Sequence, residues 1–188
     1  MGVLLDILGS FVIRAAVVLI ILTTMITLNN SLFRQTERVA LNELVSGIGE
    51  TVFNDLSHAG YNSTSKTFNK ADSIETIFFA DLDNNGSVET IRYYLGSGAS
   101  GSHRILYRTL NSGTAFEIAR DVILLRFYYY NITGGTVSYG NNRTGIKSVK
   151  VSITIESSHK LVSVYSGTSD TLSYQQAKWE AHIFPSNQ

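Results

Sequence analysis

The stretch AAVVLIILTTMITLNNSLF, Ala15 to Phe33, contains no ionisable residue. A helix needs about 20 mostly apolar residues, rising about 1.5 Å each, to cross a hydrocarbon core, so this stretch has the length of a membrane span. Toward the N-terminus, Asp6 and Arg14 are the ionisable side chains between Val3 and Leu28. A secretory signal would run from a basic region through a short apolar region to a small-residue cleavage site. That order is not present, and acidic Asp6 sits where a basic residue belongs.

Toward the C-terminus the pattern narrows from all-round apolar to a single stripe. Leu41, Leu44, Val45, Ile48, Val52 and Leu56 recur at three- and four-residue spacing, with Arg38, Glu43, Glu50 and Asp55 assigned to the polar face. No proline interrupts the run. Gly60 is the expected C-terminal cap, with Tyr61 supplying its hydrophobic contact. The reading is one helix over residues 2–60, apolar over 3–33 and amphipathic over 34–59. From Val3 to Ala59 it would extend about 85 Å.

From Tyr61 the apolar period switches to two, which defines a β-rich head over residues 61–188. Val149, Val151, Ile153 and Ile155 alternate with Lys150, Ser152, Thr154 and Glu156. Ile123, Leu125, Phe127 and Tyr129 form a second inward set, and Ala177, Trp179, Ala181 and Ile183 a third. Further strands are expected at 74–80, 88–95, 103–110 and 161–166. Gly96 to Ser102 and Thr133 to Gly145 read as loops. The fold class is α+β: a long N-terminal helix whose amphipathic half covers a mostly antiparallel sheet.

Composition removes several function classes. Fifteen Lys+Arg balance 15 Asp+Glu, leaving no net field for nucleic acid. With no cysteine, disulfides, thiolate catalysis and cysteine-held metals are excluded. His58, His103, His159 and His182 are scattered without paired metal spacing, and no nucleophile, base and orienting group converge in the sequence. The expectation is a protein that is not an enzyme. Alternating strand faces account for Tyr128-Tyr129-Tyr130 without a special role.

Two groups of residues carry candidate chemistry. Asp6 and Arg14 are opposite charges in an apolar helix, each costing about 2.5–3.5 kcal/mol at a bilayer centre. About 12 Å apart along the axis, they are too distant to pair within one chain but can meet between staggered helices, or lie separately near a membrane surface. The second group is Asp81-Leu82-Asp83-Asn84-Asn85-Gly86-Ser87-Val88-Glu89. It matches the first, third, fifth, sixth and eighth positions of an EF-hand loop, making Asp81, Asp83, Asn85 and Glu89 a calcium candidate. The twelfth position is Arg92, and a β-hairpin with an Asn-Gly turn explains the same residues without metal.

An acidic residue near the start of an apolar helix, the run Asp55 to Tyr61, the segment Phe79 to Gly86 with Tyr93-Tyr94-Leu95, and Leu106-Tyr107-Arg108 together resemble type IV pilins and pseudopilins. The likeness is greatest to W-type minor pilins and J-type pseudopilins of type II secretion. With Met1 removed, Asp6 falls at the fifth position, where that family has glutamate. The resemblance implies a structural filament subunit, assembled through its N-terminal helix with copies of itself or other pilin subunits. It further implies an assembly ATPase and platform as partners, and an inner-membrane precursor whose head is extracytoplasmic and ends on a cell-surface filament. Adhesion, motility, DNA uptake and secretion are the roles such filaments serve. The alternative is a single-pass, membrane-anchored extracytoplasmic binding module that does not polymerise.

Overall fold

A computed structural model of the chain describes residues 2–63, 66–100, 103–142, 144–162 and 172–185. Among the described residues one helix, α1 (Gly2–Ser57), is followed by eight strands: β1 (Phe68–Ala71), β2 (Glu75–Ala80), β3 (Glu89–Ser100), β4 (His103–Leu110), β5 (Phe116–Tyr130), β6 (Gly140–Asn141), β7 (Ser148–Val162) and β8 (Leu172–Ile183). All the strand pairings are antiparallel, and they form one sheet in the order β6-β1-β2-β3-β4-β5-β7-β8. The expected α+β layout of long helix and antiparallel sheet is therefore present.

The helix ends slightly earlier than expected and by a different device. Its last turn tightens, with His58 N–H donating to Asp55 O at 3.2 Å and Ala59 N–H to Leu56 O at 3.1 Å. Gly60 then adopts φ 85°, a conformation glycine reaches without a Cβ penalty. Its N–H does not return to the helix but donates to Phe79 O of β2 at 2.7 Å. The cap thus fastens the helix to the sheet.

Val45, Ile48, Val52 and Leu56 are buried with the inward side chains of the strands, and Leu41 packs partly against them. Full burial of each such aliphatic side chain contributes about 1.5–3 kcal/mol. Leu44 departs from the expected stripe and is 49% exposed. The burying face runs through 45, 48, 52 and 56, and Leu44 lies one residue, about 100°, off its start. Gly49 is also buried, and a Cβ there would overlap the Trp179 ring of β8, so the missing side chain sets how closely helix and sheet approach. The helix meets β8 at one sheet edge and is tied to β2 at its end, which requires the sheet to curl around it.

The set Val149, Val151, Ile153 and Ile155 is buried as expected, and so are Leu125, Phe127 and Tyr129. Ile123 is a correction. The β5–β7 register passes from Val122↔Ile155 to Leu124↔Thr154, leaving Ile123 as the extra residue of a bulge that follows Asp121 at φ 55°. Val122 takes the buried place instead, and Ile123 is half-buried. The expected loop Gly96 to Ser102 is strand as far as Ser100, with irregular register. The second expected loop carries β6, which pairs with β1 and forms a sheet edge. Of the run expected at 161–166, Leu161 and Val162 end β7, and the remainder falls outside the described residues.

Candidate functional site

The first half of α1 makes no use of the head. Apolar side chains from Ile7 to Phe33 stand exposed, among them Phe11 at 71%, Leu19 at 65% and Met25 at 67%. By length and composition this helix can cross a membrane. Its polar atoms suit that surrounding: Thr23 donates to Leu19 O at 2.9 Å and Thr27 to Thr23 O at 2.8 Å, so these hydroxyls need no external partner.

Asp6 and Arg14 lie in this half, both exposed, with Ser10 midway between them and Ile7 and Phe11 alongside. Eight residues of helix separate the two charges by about 12 Å along the axis, and neither forms an ion pair among the described residues. Among the described residues the two charges are not joined within the chain.

The acidic loop does come together. It connects Ala80 to Glu89, the last pair of the β2–β3 ladder. Carboxylate oxygens of Asp81, Asp83 and Glu89 lie within 4.8 Å of one another. Asp81 is buried; its Oδ1 accepts from Asn85 N–H at 3.1 Å, and its Oδ2 from Gly86 N–H at 2.9 Å and from Asn62 Nδ2 at 2.8 Å. The Asn62 bond, together with the backbone N–H groups and against the opposing pull of burial, holds the Asp81 carboxyl below its ordinary range. Glu89 Oε2 accepts from Leu82 N–H at 2.9 Å, which closes the loop across its base.

This hairpin is not the two-residue Asn-Gly turn of the sequence reading. The left-handed residues are Asn84 at φ 57° and Gly86 at φ 86°, because the Asp81 carboxylate gathers the N–H groups of Asn85 and Gly86 into a longer loop. Asn85 is turned to internal use, its Nδ2 donating to Asp83 Oδ2 at 2.8 Å and its Oδ1 accepting from Ser87 N–H at 2.7 Å. Arg92, at the twelfth position, pairs with Glu75 and stacks on Tyr94. Three carboxylates suit a hard cation, which wants six to eight oxygens, yet N–H donors already satisfy much of the set. Calcium titration by calorimetry separates the two readings, with Asp83→Ala as control: heat lost on substitution marks a metal site, and no heat in either protein marks a self-satisfied turn.

Sequence reasoning missed a cluster that positions the helix. Asp55, assigned to the polar face, is buried. Its Oδ2 accepts from Tyr93 OH and from Arg108 Nε, both at 2.6 Å. Burial first, and then the Asp55 charge, push the Tyr93 phenol well above its ordinary value, so it stays a donor. Burial pulls the Arg108 guanidinium down, and the Asp55 hydrogen bond and charge, together with Tyr93, overcome it and leave Arg108 raised. The available signal was spacing, since Asp55 follows Val52 by three residues and so belongs to the burying stripe. Among the histidines, His58, His103 and His182 have separate partners, respectively Asn54 O, Glu156 and Ser148.

The chain was compared with family models, with curated proteins and with solved structures, and nothing matches in any of the three.

Proposed function

We propose that the chain is a structural subunit of a type IV pilus-like or pseudopilus filament, held in a membrane by the first half of α1 and then assembled through it. The observation that carries this reading is one uninterrupted helix whose second half is locked to a head while its first half is apolar all round and exposed. A helix apolar on every side is covered by lipid or by other helices, and the same surface serves both in turn. A pilin-like arrangement of helix and sheet, with the resemblance at Asp6, Asp55 to Tyr61 and the β2–β3 hairpin, supports the assignment.

In this reading the membrane form is an inner-membrane precursor with its head outside the cytoplasm, and the assembled form is an extracellular filament. Other pilin subunits, an assembly ATPase and a platform are its partners. No enzymatic step is assigned. Electron microscopy of surface filaments, with mass spectrometry of their protein, tests the proposal. Finding the chain in filaments supports it; finding it only dispersed in membranes favours a single-pass anchored binding module.

A further inference from the structure

Resting on the filament reading, we infer that neighbouring copies stack in parallel with an axial offset of eight residues, about 12 Å, so that Asp6 of one copy pairs with Arg14 of the next. Both side chains are exposed on a half-helix that carries no other charge from Gly2 to Phe33, and neither forms an ion pair among the described residues. Within a membrane or a helical bundle, each unpaired charge is costly. A second copy offers the complementary charge at no cost in new chemistry.

Orientation fixes the offset. Two antiparallel helices could also match Asp6 with Arg14, but that would put the two heads on opposite sides of the membrane. Parallel helices in register would set Asp6 beside Asp6 and Arg14 beside Arg14, which is repulsive. A parallel pair satisfies the charges only when shifted by the eight residues that separate them.

The shift makes the contact heterologous. One copy spends its Asp6 on one neighbour and its Arg14 on another, so each pairing leaves an unmatched Asp6 at one end and an unmatched Arg14 at the other. Such contacts continue into an open array instead of closing as a dimer. Eight residues also turn the helix by about 80° beyond two full turns, so the two neighbours of a copy lie on the same side of it. The row therefore curls around an axis and does not run flat. Ser10, midway between the charges, lies along the same seam.

The native chain has no cysteine, which makes single-cysteine variants clean reporters. Ser10→Cys and Val18→Cys are four residues beyond Asp6 and Arg14 and share their offset, and each leaves both charges in place. Full-length chains carrying one or the other substitution, co-expressed in membranes and oxidised, are expected to give mainly the mixed Ser10–Val18 cross-link. In parallel, Asp6→Arg and Arg14→Asp should each abolish assembly, and the double exchange should restore it to near the native level. Filaments whose cross-links are mainly Ser10–Ser10 and Val18–Val18 would overturn the offset while leaving the filament reading standing. A double exchange that assembles no better than the single variants, although inserted in the membrane, would also overturn it. Absence of every cross-link together with absence of filaments would remove both the offset and the reading it rests on.

Discussion

The two halves of α1 share backbone conformation and apolar character, yet Leu22 is 53% exposed while Val52 and Leu56 are fully buried. Helix propensity does not separate them. The difference lies in how apolar residues are distributed around the axis. After residue 33 polar residues confine the apolar side chains to a stripe, and the stripe fits the concave face of a sheet from the same chain. Before residue 33 no face is spared, so no single sheet could cover it, and the covering must come from outside. One helix therefore has two solvents, and its stability against unfolding is set by only one of its halves.

The largest effect that can break this contrast comes from deleting matching side chains in the two halves. Leu56→Ala is expected to lower head stability by about 2–5 kcal/mol, whereas Leu22→Ala should leave it unchanged, in denaturant titrations of the full chain in detergent. Equal losses would erase the distinction. Next, Asp55→Ala leaves Tyr93 and Arg108 without their acceptor and should cost about 3 kcal/mol, at the lower end for a broken buried pair because Arg108 keeps some solvent contact. A loss below about 0.5 kcal/mol would mean that the helix is not fastened there.

Glycines sharpen the contrast within the packed half. Gly49→Ala drives a methyl group into Trp179 and should destabilise by about 1–3 kcal/mol, measured in the same titration. Gly47→Ala, two residues away with open space around it, should stabilise the helix by about 0.5–1 kcal/mol. The smallest effect belongs to the outward face of β7 and β8. Lys150 and Lys178 hydrogen-bond Glu180 and draw its carboxyl from 4.5 down to about 2. Because the folded value is below the unfolded one, this contribution is complete above about pH 4.5 and is lost as pH falls toward 2. Glu180→Gln should flatten that part of a plot of melting temperature against pH.

Local pattern was enough for the helix, for the stripe through Val45, Ile48, Val52 and Leu56, and for the inward faces of β7 and β8, because each follows from a period of 3.6 or 2. It failed where a distant partner decides the outcome. Asp55 reads as polar surface until Tyr93 and Arg108, 38 and 53 residues away, are brought to it. Gly49 reads as a weak helix residue until Trp179 is packed against it. Ile123 reads as core until the bulge after Asp121 shifts its phase. Strand β1 (Phe68–Ala71) was not expected because four residues are too few to establish an alternation. For the candidate sites, Asp81, Asp83 and Glu89 were legible as a cluster, but the use of Asn85 and Asn62 to hold the loop was not. Asp6 and Arg14 were legible as charges in the wrong solvent, since their meaning needs no fold within the chain.

Removal of residues 2–33 tests most directly the claim that one helix serves two surroundings. The account predicts that the shortened chain leaves the membrane fraction, stays monomeric, and unfolds in a single transition near that of the full chain in detergent. A shortened chain that fails to fold, or one that still sediments with membranes, would contradict it.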